Sequence, residues 1–138
     1  MLPKKQLEQL ADVRANEAKT LFNAGFFSGS YYLAGYALEF ALKARIAKNF
    51  LADAIPERSY VQDIFTHDLK KLMGLAALRK ELEQKVQGDP QFAAFWGIAS
   101  QWDESARYDI WDKVAATAML VAVCDSQKGL LQWIKQFW

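Results

Sequence analysis

Cysteine occurs once in the 138 residues, at Cys124, so no internal disulfide can brace the fold. The thiol lies in the apolar run VAATAMLVAVC, where a buried, unreactive filler is the expected role. Proline occurs only at positions 3, 56 and 90, which leaves long stretches free of helix breakers. Histidine also occurs once, at His67, with no cysteine or second histidine nearby, and this argues against a zinc site. No Gly-rich phosphate loop, metal-ligand cluster or nucleophile elbow is present, so no metal and no cofactor is expected. Nor is there an excess of one charge: Lys and Arg total 17, Asp and Glu 16, for a net charge of +1. That removes any global electrostatic case for nucleic-acid binding and leaves only a local patch open. The apolar run at 114–124 has about half the length a membrane span needs. The opening MLPKKQLEQL turns polar at once, unlike a signal peptide. The expectation is a cytoplasmic chain with no membrane contact.

What is abundant is apolar side chain. Hydrophobic residues make up 52%, enough to bury the core of one domain spanning 1–138. Leu7, Leu10, Ala11, Arg14, Ala18, Leu21 and Phe22 recur at steps of three and four, which predicts a helix over 4–24. Gly25 offers the left-handed residue that ends it, and Ser28 or Ser30 the cap of the next. That second helix runs from about 29 to 49, followed by a loop, ADAIPERS. FTHDLKKLMGLAAL predicts a third helix with Thr66 at its N-cap and His67 and Asp68 in its first turn. The charged RKELEQKVQG either continues it or forms a separate short helix, with a solvated face. Asp89 and Pro90 open another helix as cap and first residue. A last helix of some 30 residues is expected from Glu104 to near the C-terminus. No stretch alternates as a strand does. The fold class is all-α, and the short connections favour antiparallel neighbours in a bundle.

The stretch SGSYYLAGYALEFALKARI at 28–46 is apolar on several sides, which places its helix at the centre of the bundle. Tyr32, Tyr36, Glu39 and Lys43 follow steps of four, three and four and form one stripe. A carboxylate in such a helix needs a partner. Lys43 stands in the favourable order, yet an exposed pair of this kind gives only about 0.3–0.5 kcal/mol. A further partner is therefore expected, with His67 and Arg107 as candidates. The stripe is read either as a polar tie between helices or as the lining of a ligand or RNA site.

Other residues divide in the same way. Histidine is the residue type whose unperturbed pKa lies near neutral pH, and His67 is read as a capping or inter-helix residue, a ligand contact, or an acid–base group. Arg107 can hold phosphate bidentately or pair with an acidic neighbour, and Tyr108 follows it. Trp96, Trp102 and Trp111 fall with Phe92, Phe95 and Tyr108 in one aromatic region read mainly as core. The terminal LLQWIKQFW has little chain left to cover it, and such a patch packs either against the bundle or against a second subunit; Trp133, Ile134, Phe137 and Trp138 are candidates for the second-subunit contact.

LFNAGFFSGSYYLAGYALEFALKARI at 21–46, THDLKKL at 66–72 and WDESARY at 102–108 together resemble the HEPN family of small helical domains. The Gly-Tyr-x-x-Glu-x-x-x-Lys core of the first segment is the most specific part. The resemblance implies an up-and-down bundle of four to five helices, usually dimeric, often the partner of a minimal nucleotidyltransferase and proposed to bind nucleotides. Other members are ribonucleases of toxin–antitoxin and defence systems, marked by an arginine followed after four to six residues by a histidine. Here the arginine preceding His67 would fall at Tyr60, Val61 or Gln62, and the histidine following Arg107 at Asp112, Lys113 or Val114. The motif is absent, which argues against that enzymatic mechanism.

The leading expectation is a non-catalytic, dimeric HEPN-like module that binds a nucleotide, an RNA or a nucleotidyltransferase-like protein. Its ligand surface would be Tyr32, Tyr36, Glu39, Lys43, His67, Arg107 and Tyr108. The rivals are a ribonuclease toxin with a rearranged site at His67 and Arg107, and a purely structural oligomerisation domain.

Overall fold

The computed structural model describes residues 2–138. Among these residues the chain forms eight α-helices and one 3-10 turn, with no strand. The helices are α1 (Lys4–Asn23), α2 (Phe27–Ala47), α3 (Arg58–Ile64), α4 (Leu69–Leu75), α5 (Arg79–Gly88), α6 (Pro90–Ala99), α7 (Lys113–Cys124) and α8 (Leu130–Lys135). The 3-10 turn, Glu104–Tyr108, lies between α6 and α7.

α1 and α2 form a helical hairpin. Gly25 turns the chain between them at φ +86°, the left-handed value expected of it. α1 buries Leu7, Ala11, Ala15 and Ala18 against α2, a row of small residues that lets the two backbones approach. Neither serine caps α2, contrary to expectation: its N-cap is Phe26 and has no side-chain bond. Ser30 instead donates to the Ala18 carbonyl of α1 at 2.8 Å, and Ser28 Oγ accepts from the Trp111 amide at 2.9 Å. Both hydroxyls tie helices together.

α2 is the central helix, as its all-round apolar pattern predicts. It packs against α1, α4, α7, α8 and the 3-10 turn. Its buried residues run from Ser30 and Tyr31 to Ile46 and include Glu39. The buried core draws on every helix except α3.

Three sequence expectations are corrected. The third helix starts later than expected: Asp68, not Thr66, caps α4, accepting from the amides of Lys70 and Lys71 at 2.9 and 3.2 Å. Thr66 accepts from the Asp68 amide, so Thr66 and His67 belong to the turn before the helix. Residues 58–64, given no helix by periodicity, form α3. The long last helix is broken into the 3-10 turn, α7 and α8. Asp112 accepts from the Ala115 amide and starts α7 afresh, while Asp125 accepts from the amides of Gln127 and Lys128 just after α7 ends. A short acidic side chain that bonds nearby amides competes with helix continuation. The charged RKELEQKVQG forms a separate helix, α5, and Asp89 with Pro90 opens α6 as expected.

The C-terminal aromatics fold back on the chain. Trp133 and Ile134 are buried, with the Trp133 ring 5.3 Å from Phe92 and 5.0 Å from Phe137. Trp138 Nε1 donates to the Ala41 carbonyl of α2 at 3.0 Å. Of the two coverings open to this patch, the bundle supplies the one for Trp133 and Ile134, and Phe137 and Trp138 are only partly exposed.

Candidate functional site

The stripe on α2 forms as the helical spacing requires. Tyr32 and Tyr36 meet edge to face at 5.0 Å, and Glu39 and Lys43 follow one and two turns later. Glu39 is 2% exposed and, among the described residues, shares its place as a buried polar side chain with Ser30. Its partner across the fold is His67, whose Nδ1 lies 2.6 Å from Glu39 Oε1. Lys43 Nζ donates to the other oxygen at 3.3 Å. The α3–α4 turn thus delivers its imidazole onto the middle of α2, and Tyr36 packs edge-on against that ring at 5.9 Å.

His67 is engaged on both sides. Its Nε2 lies 3.0 Å from Glu104 Oε2 on the 3-10 turn. Both ring nitrogens therefore face carboxylate oxygens, Glu39 on one side and Glu104 on the other. Arg107, one turn along, stands at 4.0 Å from the same Glu104 oxygen. Its guanidinium also donates to the Tyr108 hydroxyl at 2.8 Å and stacks over that ring at 4.8 Å. The result is a chain of polar contacts from the buried Glu39 through His67 and Glu104 to Arg107 at the surface.

Of the two partners expected for Glu39, the structure supplies His67; Arg107 reaches the group only through Glu104. Lys43, His67, Tyr32 and Tyr36 gather around Glu39, while Arg107 and Tyr108 form an outer rim, Tyr108 being 76% exposed. Burial, then the neighbouring Tyr32 hydroxyl and the Glu39 charge, push the Tyr36 phenol well above its ordinary range, so it stays a neutral hydroxyl. The Arg107 guanidinium is held still more firmly protonated by Tyr108 and Tyr32.

Two members were missed by sequence reasoning. Glu104 was visible only as an acid near a helix start, and its spacing of three from Arg107 was the available signal. Trp102 is the other. Its indole lies flat against α2 at Gly35, where a Cβ would stand 2.1 Å from Trp102 Cε2. The same ring meets Tyr36 edge-on at 5.3 Å and packs near Tyr32. Gly35 therefore admits the tryptophan that holds the 3-10 turn, and with it Glu104, against the stripe. Trp111 fixes the far end of that turn: it stacks on Tyr31 at 3.8 Å and donates from Nε1 to the Ala106 carbonyl.

Chemically, the site presents fixed cations and aromatic faces around a buried anion. Among the described residues no group of three His, Cys, Asp or Glu side chains is placed to hold a metal ion. No helix among them is long and apolar enough to cross a membrane. Compared with models of protein families, with curated proteins and with solved structures, the chain matches none.

Proposed function

We propose that the chain is a non-catalytic HEPN-like module that binds a nucleotide, or the nucleotide units of an RNA, along the α2 stripe and its rim. The observation that carries this reading is the pinning of Lys43 and His67 on the buried Glu39, with Arg107 and Tyr108 exposed beside them. A buried carboxylate that orients Lys43 leaves the ammonium with further donors for a ligand. Lys43 and Arg107 are suited to phosphate, and Tyr108 to stacking on a base. The resemblance adds a minimal nucleotidyltransferase as the protein partner of such a module.

The ribonuclease alternative is weakened by the same geometry. A proton-shuttling imidazole needs a nitrogen free for substrate, and both nitrogens of His67 already face carboxylates of the chain itself. Equilibrium binding of fluorescent ATP and of a short labelled RNA tests the reading. Arg107→Ala and Tyr108→Ala, both at exposed positions, are each expected to weaken binding about tenfold, the loss of one charge-assisted contact or one stacked base. Wild-type protein that binds neither probe sinks the proposal. RNA that is cleaved, with cleavage lost in His67→Ala, would support the ribonuclease reading instead.

A further inference from the structure

The segment between α2 and α3 forms a hollow of about 360 Å³ whose lining includes Phe50, Leu51, Ala54, Ile55, Glu57 and Tyr60. Leu51 and Ile55 take part in that lining while remaining 76% and 98% exposed, so its apolar wall stands open to water. The aromatic part of the wall is held in place. The Phe50 and Tyr60 rings stand 5.7 Å apart, tilted by 46°, and the Tyr60 hydroxyl donates to the Leu75 carbonyl of α4 at 3.1 Å. With its hydroxyl so engaged, Tyr60 offers the hollow a ring rather than a polar group. A volume of this size falls at the lower end of the range for small-molecule sites, about 300–1,000 Å³.

The charge on this wall has one sign. Among the lining residues Glu57 alone is charged. It is exposed, and it stands at the N-cap of α3 without its side chain bonding any amide there. It makes no salt bridge among the described residues, and neither does Asp53 in the same loop. The basic side chains nearby are directed elsewhere. Lys48 donates to the Phe137 and Trp138 carbonyls at 3.5 and 3.1 Å, and Arg45 to Asn49 Oδ1 at 2.6 Å. Arg58, the next residue along, has no part in the lining. Three ligand chemistries can then be ranked. A neutral apolar molecule covers the wall but takes water from Glu57 and returns nothing. An anion is repelled by Glu57 and by the electron-rich faces of the two rings. A cation on an apolar body meets the carboxylate with its charge and the ring faces as well.

We propose that this hollow binds a small organic cation, an ammonium carried on an apolar body, with Glu57 meeting the charge and Phe50 and Tyr60 supplying the ring faces. This inference is independent of nucleotide binding at the stripe, which calls for a ligand of opposite charge. Amide NMR spectra of the whole chain test it with three probes of one shape: protonated phenethylamine, neutral phenethyl alcohol and anionic hydrocinnamate. Phenethylamine is expected to give saturable shifts in residues 49–60. It should bind about tenfold tighter than the alcohol, the combined effect of an exposed ion pair and a cation–π contact, and hydrocinnamate should bind weakest. Glu57→Gln should weaken the amine about threefold and leave the alcohol unchanged. Phe50→Leu, which keeps apolar bulk and removes the ring, should also weaken the amine about threefold. Both positions are exposed, and thermal melts check that the fold is intact. No saturable amine shift in this segment, an alcohol that binds as tightly as the amine, or Glu57→Gln protein that binds the amine as well as wild type would each overturn the proposal. So would amine shifts confined to the α2 stripe.

Discussion

Glu39 and Asp89 each meet two basic side chains, and the similarity ends there. Asp89 stands at the start of α6, with Lys85 and Lys128 at 3.3 Å, and accepts from the amides of Gln91 and Phe92 at 3.1 Å. Glu39 stands in the middle of α2, 2% exposed, and takes its bonds from His67 and Lys43. Water can take over the lysines of Asp89 if the carboxylate goes, so the value of Asp89 lies mainly in the orphan amides it caps. Glu39 has no such alternative, because a carboxylate withdrawn from water depends on each partner it has. Two basic side chains therefore matter differently to each carboxylate, and burial decides how much.

The largest expected effect tests how tightly the setting of Glu39 is packed. Gly35→Ala drives a Cβ into the buried Trp102 ring at 2.1 Å. A fused ring wedged between α2 and the 3-10 turn cannot yield as a flexible side chain would, so the cost is about 3 kcal/mol. Because Trp102 holds the turn that carries Glu104, the variant should also separate Glu104 from His67. Denaturant unfolding gives the first effect, and the His67 ring signals in NMR report the second. A variant as stable as wild type would show that the tryptophan moves freely.

A smaller effect sharpens the contrast itself. Breaking a buried ion pair from one side typically costs about 3–5 kcal/mol. His67→Ala should cost about 2 kcal/mol, below that range because Lys43 remains and His67 is itself 36% exposed. Glu39→Met should cost less, about 1 kcal/mol, since it removes the buried charge and frees two partners that reach water. The order of the two values, measured by urea titration, is the point. If Glu39→Met proves the more damaging, then Glu39 acts by organising the stripe rather than as a charge that must be neutralised.

The sequence announced much of this and hid part of it in identifiable places. The four-three-four spacing of Tyr32, Tyr36, Glu39 and Lys43 is a property of one helix, and it survived folding unchanged. The need for a second Glu39 partner followed from desolvation alone, and His67 was one of two candidates. Glu104 and Trp102 were not found because their roles depend on where a 3-10 turn lands, and periodicity carries no information about that. The breaks after Tyr108 and Cys124 were missed for a related reason. Asp112 and Asp125 each have a local hydrogen-bonding alternative, and apolar spacing across them still looks helical. The C-terminal tryptophans show the same limit from the other side: position in the chain left packing on the bundle or on a second subunit open, and the choice depends on the groove beside Ala41 and Phe92.

The smallest effect belongs to Asp89, and its signature is pH. Its carboxyl is held below the ordinary value of 3.8, first by the Phe92 amide and then, against some desolvation, by Lys128 and Lys85. A carboxylate whose folded pKa is depressed contributes stability that is fully present above its unfolded pKa and is lost as pH falls through the folded one. Asp89 should therefore add nothing to the pH dependence well above 3.8 and should give up its contribution progressively as pH falls through that value and below it. Asp89→Asn keeps a capping oxygen for the two amides while removing the charge. The variant should match the cap but lose that acid-side slope, and it should show little change near neutral pH. Thermal melts from pH 2 to 7 compare the two proteins. Curves that stay parallel throughout would mean that the lysines contribute nothing through charge, leaving Asp89 a cap alone and making its contrast with Glu39 complete.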